Sequence, residues 1–336
     1  MQVVQPLVSI LIPAFNSQQW IADTLRSAIG QTWRPTEIIV VDDGSTDRTL
    51  AVARRFEPQG VRVVPQLNQG AAAARNKAFS LCQGDYIQWL DSDDLLAPDK
   101  IERQMEAAEQ HRSPCTIFSS AWGTFLCRAD RARFIPTALW CDLSPVEFLL
   151  RKLEQNLWMQ TATWLVSREL AEAAGPWDIA MAVDDDGEYF SRLLLRSDGI
   201  RFVPDARVYY RSSGTHGLSH IGLSGSKIDA QWRSLRLHIE YLRRLEESPR
   251  SRAACVRLLQ NWLGYFYALR PDIVRQAEQL SAELGGRLEE PRLSPKYAWM
   301  KALFGLGLAT RAQLLITRLR WTMKRWWDGA FGVFGG

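Results

Sequence analysis

The sequence predicts an α/β fold with a mostly parallel sheet, and three observations carry that prediction. β-Branched or apolar runs alternate with helix-like stretches at intervals of roughly 25 residues, as βαβ units require. Each run ends in polar residues of distinctive chemistry. The chain has 336 residues, 46% of them apolar, and can bury a large core. We therefore expect a sheet covered by helices on both faces, in one large domain accompanied by a smaller one.

The elements of the first half can be assigned in order. The predicted strands are Val8 to Ile12, Glu37 to Val41, Val61 to Val64 and Tyr86 to Leu90. A first helix is predicted over Ser17 to Ile29, where apolar residues repeat on one face. A later helix begins at Pro98, whose fixed φ and missing N–H suit a first turn, and it turns Ile101, Met105 and Ala108 inward.

The cysteine content and the amino-terminal residues indicate the cellular compartment in which the protein folds. The five cysteines are an odd number without short paired spacings, so neither a disulfide framework nor a zinc site is expected. A reducing compartment fits this pattern better. The amino-terminal residues lack a basic region before a short apolar run, and we interpret them as a strand rather than a signal peptide.

Polar residues follow each predicted strand at its carboxyl end. They are Phe15-Asn16, Asp42-Asp43-Gly44-Ser45, Asn68-Gln69-Gly70 and Asp91-Ser92-Asp93. In open α/β sheets the ligand crevice lies at the carboxyl ends of the strands. We therefore expect these four segments to meet at one cleft.

Two sets of motifs resemble a known family. VSILIPAFN, EIIVVDDGSTD, NQGAAAARN and YIQWLDSDD resemble, in this order, the nucleotide-binding half of family 2 glycosyltransferases, which have a GT-A fold. GPWD, DDDGEYFSRLL and FVPDARVYYR resemble the acceptor half of that family, up to about Arg211. The resemblance implies a catalytic domain over residues 1–215, divided near residue 112. It also implies transfer of a sugar, with inversion, from a nucleotide-sugar that is most often a UDP-sugar.

The resemblance implies a nucleotide site built from the first three strand ends. Asp42 or Asp43 would accept a hydrogen bond from a base N–H, because an ionised carboxylate only accepts. The other residues expected to line the nucleotide-sugar are Pro13, Phe15, Asn16, Asn68, Gly70, Arg75 and Asn76. The alternative is a turn with a helix cap after the second strand and a solvated arginine on an alanine-rich helix. A cap does not require two adjacent aspartates.

The Asp91-Ser92-Asp93 segment has the DxD spacing of a metal and diphosphate site. Mg²⁺ and Mn²⁺ prefer oxygen ligands and are typically held by one or two carboxylates plus substrate phosphates. By resemblance we expect Asp93 as the metal ligand, with Asp91 supporting the metal or the ribose and Ser92 near the nucleotide. His216 is a further candidate ligand, or else a surface histidine. The alternative for the acidic segment is a turn in which Asp94 caps the next helix.

A second acidic cluster, Asp184-Asp185-Asp186, is expected to supply the general base. Aligning Arg192 with the arginine of the family's ED-type motif implies Asp186 as the base, with Asp185 as the next candidate. A carboxylate accepts a proton near neutral pH only where burial or like charges raise its pKa. Trp177 and Glu188 are expected to contact the acceptor. A solvated acidic loop at a helix start is the alternative.

The remaining chain is predicted to carry a mobile loop with a helical appendage, over residues 216–290, and a basic tail, over residues 291–336. The tail has eight Lys or Arg residues against one acid, and its apolar stripe ends near Trp326 and Trp327. Such a stretch suits the surface of an anionic membrane. Charges interrupt every candidate membrane-spanning window. A core-packed terminal helix and a dimerisation helix are the alternatives, and no motif indicates nucleic-acid binding.

Together these features favour a cytoplasmic glycosyltransferase, peripherally associated with the cell membrane, that uses Mn²⁺ or Mg²⁺ and extends a glycan or a lipid-linked acceptor of the cell envelope. A nucleotidyltransferase is the alternative enzyme. It would leave Asp185 and Asp186 without a role and would require a glycine-rich phosphate loop near the first strand, which is absent. A membrane scaffold that binds a nucleotide-sugar without turnover is the non-enzymatic alternative, because fold alone does not imply activity.

Overall fold

A computed structural model gives the fold of the chain. It describes residues 5–212 and 225–291, and beyond these residues 294, 299–300, 303, 305–310, 312 and 316. The strands are β1 (Val8–Ala14), β2 (Thr36–Asp43), β3 (Val61–Gln66), β4 (Tyr86–Trp89), β5 (Leu95–Leu96), β6 (Thr116–Phe125), β7 (Arg133–Phe134), β8 (Leu165–Ser167) and β9 (Gly199–Arg211). The helices are α1 (Ile21–Ile29), α2 (Thr49–Arg54), α3 (Ala71–Leu81), α4 (Lys100–His111), α5 (Pro145–Gln155), α6 (Arg168–Ala174), α7 (Asp185–Leu194), α8 (Gly225–Leu245), α9 (Pro249–Leu269) and α10 (Pro271–Glu283).

The sheet has the order β3-β2-β1-β4-β8-β6-β9-β5, with β7 paired to β6. Strands β3, β2, β1 and β4 are parallel to one another, and β6 is parallel to β9. Strand β8 is antiparallel to both of its neighbours and joins the two parallel parts. The expected α/β fold with a mostly parallel sheet is therefore confirmed, and the antiparallel pairs belong to its second half.

The core lies on both faces of the four amino-terminal strands. All of β1 is buried, and its neighbours β2 and β4 contribute Ile39, Val40 and Ile87, each at most 1% exposed. Helix α1 starts at Ile21, later than predicted, and buries its apolar face. Helix α4 starts at Lys100, two residues after Pro98, and buries Ile101, Met105 and Ala108 as predicted.

Parallel pairing brings the ends of the first strands to one edge of the sheet. Ala14 lies opposite Asp42, and Asp43 lies opposite Gln66 in the adjacent strand. Pro13 is buried inside β1 but lies beyond the last residue paired with β4, Leu11 opposite Trp89. A proline lacks the N–H that a central strand would need, and its position past this pairing makes it tolerable there.

The chain divides into two compact units. The first comprises residues 1–152 and 157–246, and the second comprises residues 153–156 and 247–336. Helix α8 groups with the first unit because it packs on α7, whereas the sequence predicts a boundary at residue 215. In the second unit, α9 begins with a capping box between Ser248 and Ser251, and α10 packs against α9.

No helix within the described part of the chain is long and apolar enough to cross a membrane. Most of the basic tail, including Trp326 and Trp327, lies outside the described residues, as do His216 and most of the loop around it. The predictions for a mobile loop and for a membrane-associating tail are therefore not addressed by the structure.

Candidate active site

One arginine joins the two acidic clusters. Arg75, on α3, donates from Nη1 to Oδ2 of Asp185 at 2.6 Å and from Nη2 to Oδ1 of Asp91 at 2.8 Å. Its side chain is 5% exposed, so both ion pairs are shielded from solvent. Burial alone would lower the pKa of Arg75, but Asp185 and then Asp91 outweigh it and raise the pKa further above its usual range. The DxD segment and the second cluster thus face one site.

An aromatic stack holds Arg75 in place. Its guanidinium lies over the ring of Trp177, 4.3 Å from the ring centroid. Trp177 stacks on Tyr189 with ring centroids 4.1 Å apart and planes 9° apart. A cation over an aromatic face is stabilised by the ring quadrupole, more so away from water. The stack therefore positions the guanidinium between its two carboxylates.

The three adjacent aspartates have different surroundings. Asp185 pairs with Arg75, whereas Asp184 turns toward α8 and accepts hydrogen bonds from Ser234 and from His238 Nε2, the latter at 2.9 Å. Asp184 has a φ of 54°, and a Cβ on Gly187 would overlap its carboxylate. Although burial raises the pKa of Asp184, Lys152 and the His238 hydrogen bond together hold it below its usual range. Asp184 is an anchor that stays ionised.

Asp186 is the member of the cluster that forms no ion pair with any of the described residues. Its Oδ1 accepts from the adjacent Gly187 N–H at 2.8 Å, and its Oδ2 accepts a long hydrogen bond from Thr161 Oγ1 at 3.3 Å. Burial raises the pKa of Asp186 to about 7, and the charges of Asp185 and Asp184 contribute to the same shift. A carboxyl group with this pKa can exchange a proton near neutral pH.

A short segment before β8 connects the two clusters from the other side. Gln160 donates from Nε2 to Oδ2 of Asp94 at 2.5 Å, and the next residue, Thr161, contacts Asp186. The other oxygen of Asp94 accepts from the Arg211 N–H at 2.7 Å. Burial, followed by the charges of Asp93 and Asp91, raises the pKa of Asp94 well above its usual range. Asp94 therefore orders the DxD segment and does not cap α4, which begins after Asp99.

The loops after β1 and β2 are tied together by Asn16. Its side-chain oxygen accepts from the Thr46 N–H at 2.9 Å, and its own N–H donates to Ser45 Oγ at 3.0 Å. Asn16 has a φ of 49°, a left-handed conformation that asparagine adopts more readily than most residues. Phe15, beside it, is 49% exposed, so its ring is available to a ligand.

The two aspartates that end β2 are both 2% exposed but differ in their partners. Asp43 accepts from the Gln69 N–H at 2.9 Å, from the Gly70 N–H at 2.8 Å and from Gln66 Nε2 at 2.7 Å. Asp42 accepts from the Ser45 N–H at 3.2 Å, and its Oδ1 has no partner within the described residues. Asp43 therefore stabilises the loop after β3, while Asp42 has a buried carboxylate oxygen, Oδ1, that accepts no hydrogen bond from the described residues.

Gly70 lets this loop turn directly into α3. Its φ of 92° is one that side chains rarely adopt, and an added Cβ would meet no atom within 4 Å. No side chain caps the first N–H groups of α3, and Asn68 lies before the turn with Nδ2 donating to the Asp43 carbonyl at 3.0 Å. The start of α3 is thus an uncapped helix end, which suits an anion.

Four residues that are expected to contact ligands have partners within the protein. Asn76 holds the Trp177 backbone, accepting from its N–H at 2.8 Å and donating to its carbonyl at 2.9 Å. Trp177 itself is 2% exposed beneath Arg75, so it offers no face to an acceptor. Glu188 is equally buried and binds Arg192 Nε and the Tyr241 hydroxyl at 2.8 and 2.7 Å. Ser92 Oγ lies 2.6 Å from Ser17 Oγ and fastens the DxD segment to the start of α1.

The fit of a divalent metal depends on the DxD segment. Among the described residues, no group of three or more His, Cys, Asp or Glu side chains could hold a metal on its own. One carboxylate oxygen of Asp91 accepts a hydrogen bond from Arg75, and Asp93, in the same segment, is partly exposed. A metal bound through one or two carboxylates and a diphosphate would fit these residues. His216 lies outside the described part of the chain.

Sequence reasoning missed the residues that support the second cluster from α8. Ser234, His238 and Tyr241 lie on one helical face at spacings of four and three residues, and they contact Asp184 and Glu188. Burial, with Lys152, lowers the pKa of His238, so the imidazole stays neutral near pH 7. These polar residues recur at helical spacing next to the apolar stripe of α8, and this pattern could have predicted that they are buried.

Comparison with known proteins assigns part of the chain to a family. The model of Glycosyl transferase family 2 matches residues 9–159, a segment that contains the nucleotide-side loops and Asp91 to Asp94. These residues form a family 2 glycosyltransferase domain. The chain is 43% identical over 105 residues to the putative teichuronic acid biosynthesis glycosyltransferase TuaG of Bacillus subtilis, covering 30% of the chain and 42% of TuaG.

A longer match, to the uncharacterized glycosyltransferase EpsJ of Bacillus subtilis, has 32% identity over 216 residues and covers 62% of each protein. The chain therefore spans less than two thirds of the length of either relative. Among solved structures, residues 1–349 of Staphylococcus aureus TarS in complex with UDP-GlcNAc align with a TM-score of 0.66 and 16% identity, covering 82% of this chain and 81% of that one. The likeness establishes the GT-A fold.

Proposed function

We propose that the chain transfers a sugar from a nucleotide-sugar, most simply a UDP-sugar, to a hydroxyl of a glycan or lipid-linked acceptor in polysaccharide synthesis. The observation that carries the proposal is the Arg75 bridge, which joins Asp91 of the DxD segment to Asp185, the neighbour of Asp186. A protein that only binds nucleotide-sugars does not need such a carboxyl group. TarS, which was crystallised with UDP and with UDP-GlcNAc, and TuaG, whose name gives teichuronic acid biosynthesis, support the class of donor and product.

The nucleotide is proposed to lie across the loops after β1, β2 and β3. Phe15 would cover the base, and the pair Asp42 and Asp43 would accept its N–H, with Asp42 Oδ1 as the unused buried acceptor. The uncapped start of α3 would face a phosphate. Pro13 and Asn16 would then shape the site through the backbone rather than by contacting the base.

Asp93, with Asp91, would hold Mn²⁺ or Mg²⁺ together with the donor diphosphate. A bound metal would neutralise the charge that develops on the leaving nucleotide. Arg75 would add a second, fixed positive charge next to Asp91, in a place shielded from water. These roles do not require a metal site preformed by the protein alone, since the diphosphate supplies ligands.

The acceptor hydroxyl is proposed to lose its proton to Asp186 while its oxygen attacks the anomeric carbon and the bond to the diphosphate breaks. One displacement of this kind inverts the configuration at that carbon. Asp186 is suited to the step because its pKa of about 7 lies near physiological pH, where a base accepts a proton most usefully. Asp185 would hold Arg75 and so position the site rather than accept the proton.

The basic tail is proposed to attach the protein to the inner face of the cell membrane. Eight Lys or Arg residues against one acid over residues 291–336 support an anionic surface as its partner, with Trp326 and Trp327 suited to the headgroup boundary. Dimerisation through the same stretch is the competing proposal.

The proposed function is tested by nucleotide release. Purified protein is mixed with each of several UDP-sugars and with Mn²⁺, and free UDP is measured over time. We expect one donor to stabilise the fold against heat and to release UDP, since a ligand that binds only the folded state raises its stability. Release of pyrophosphate from UTP and a sugar 1-phosphate would favour a nucleotidyltransferase instead. Donor binding without UDP release in any acceptor mixture would favour the scaffold.

A further inference from the structure

A cluster of three aromatic residues lies next to the candidate site and has no role in the steps described above. Trp158 and Trp122 have ring centroids 4.5 Å apart, and Tyr210 packs edge-on against Trp158 at 5.7 Å and 74°. We call these three residues the aromatic platform. Trp158 is 46% exposed, although Gln160 and Thr161, which follow it closely, are 1% and 3% exposed. A large ring held at the surface by two others presents a preorganised face.

The platform is coupled to both acidic clusters through the chain. Gln160 and Thr161, two and three residues after Trp158, contact Asp94 and Asp186. Tyr210 adjoins Arg211, whose backbone N–H donates to Asp94. Burial raises the pKa of Tyr210, and so do the charges of Asp94, Asp93, Asp91 and Asp186, so its hydroxyl keeps its proton. That hydroxyl has no hydrogen-bond partner within the described residues and can donate to a ligand.

The elements that carry the platform are different from those proposed to hold the nucleotide. Trp122 is on β6, Tyr210 is on β9, and Trp158 precedes β8, whereas the nucleotide loops follow β1, β2 and β3. Thr161 contacts Asp186, whose neighbour Asp185 pairs with Arg75 on α3. The base takes its proton from the acceptor, so the acceptor must reach Asp186, and the platform borders Asp186 through Thr161.

We propose that Trp158, supported by Trp122 and Tyr210, stacks on a pyranose ring of the acceptor, which is therefore itself a glycan. This inference rests on the proposed function. The C–H face of a pyranose is apolar and packs on an indole, while its rim hydroxyls need donors and acceptors such as Tyr210. A phosphate would gain little from an exposed indole face, because the face of an aromatic ring carries the negative end of its quadrupole.

Saturation-transfer NMR on the full chain with UDP tests this. The probes are the methyl β-glycosides of glucose, N-acetylglucosamine and N-acetylgalactosamine, with glycerol 3-phosphate as a non-sugar comparison. We expect saturation transfer to the ring protons of at least one glycoside in the wild type. The signal should fall at least about fivefold in Trp158→Ala and should persist in Trp158→Phe. Trp299→Ala, which removes a tryptophan that is 58% exposed in the second compact unit, is the matched control and should leave the signal unchanged.

Equal saturation of the glycoside in Trp158→Ala and in the wild type would overturn the inference. So would saturation of glycerol 3-phosphate alone, or of no glycoside in a sample whose UDP protons are saturated. The UDP signal distinguishes failure of this inference from failure of the proposed function on which it rests. If the wild-type protein transfers saturation neither to UDP nor to any UDP-sugar, the result contradicts the proposed function itself.

Discussion

Arg75 donates to Asp185 across 2.6 Å, although the two residues are 110 positions apart in the chain. The same guanidinium binds Asp91, so removing it leaves two partly buried carboxylates without their counter-ion. An unpaired buried charge is costly, and a preorganised cation near a diphosphate is worth several kcal/mol in a transition state. The pair therefore links the stability of the site to its chemistry.

We predict that Arg75→Met lowers kcat/KM at least about 100-fold and also lowers the melting temperature. Arg75→Lys should recover part of the stability but little of the activity, since one ammonium cannot reproduce the two-pronged contact. The matched control is Arg26→Met, which removes an exposed pair with Asp23 and should change neither. Wild-type kinetics in Arg75→Met would refute the bridge as part of the site.

For Glu188 we predict a loss of stability without a loss of activity, because its contacts are with other residues of the protein. Its carboxylate binds Arg192 and Tyr241 and is 2% exposed. Glu188→Gln should destabilise the fold by about 2–4 kcal/mol while leaving the acceptor KM within about twofold at a temperature where the variant stays folded. Chemical denaturation and initial-rate kinetics measure the two quantities. A large rise in acceptor KM with unchanged stability would restore the acceptor role that the sequence indicates.

For the DxD segment, we predict that Asp93→Ala abolishes Mn²⁺-dependent binding of UDP. Wild-type protein should bind Mn²⁺ weakly without UDP, because no three-ligand cluster exists among the described residues. Calorimetry with and without a chelator measures both. The control is Asp99→Ala, which removes a partly exposed ion pair with Arg103. If chelation does not change UDP affinity in the wild type, the metal proposal fails.

The tail is tested by deletion. Protein lacking residues 291–336 should no longer co-sediment with vesicles that contain anionic lipid, while the full chain should bind them and be released by salt, as an electrostatic contribution requires. Zwitterionic vesicles are the control for adsorption. Equal co-sedimentation of the two proteins would contradict the membrane proposal, and a loss of dimer mass in solution on truncation, without any effect on vesicle binding, would favour dimerisation.

Local patterns predicted the first half of the fold well. The four predicted strands and the helix after Pro98 are present because alternation, turn residues and a helix-favouring proline act over short distances. The start of α1 shifted because Ser17 binds Thr49 through its backbone N–H and Ser92 through its hydroxyl, contacts that no local pattern reveals.

The sequence predicted the two acidic segments as parts of one candidate site, and the fold brings both of them to Arg75. Nothing in the sequence indicates that Arg75 pairs with an aspartate of each segment. Trp177 and Glu188 look like ligand contacts beside the DxD-like and ED-like motifs, but tertiary packing buries them. Burial and partner choice depend on residues such as Tyr241, far along the chain, and these are set by the whole fold.

The raised pKa of Asp186 also links the stability of the fold to pH. Its pKa is raised in the folded state, from 3.8 to about 7, so the folded protein holds a proton there that the unfolded chain has already lost. Stability is therefore highest below about pH 4, as far as this group is concerned, and falls as pH rises to about 7. Asp186→Asn should consequently melt higher than the wild type at pH 8 but not at pH 4.

The rate of transfer by Asp186→Asn, compared with wild type across pH, tests the central claim most directly. We predict a wild-type kcat that rises with pH, with an apparent pKa of about 7, and then levels off, because the base must be ionised. Asp186→Asn should bind the donor normally and lose at least about 100-fold in kcat at every pH. An Asp186→Asn protein that transfers sugar as fast as the wild type would contradict the assignment of the base.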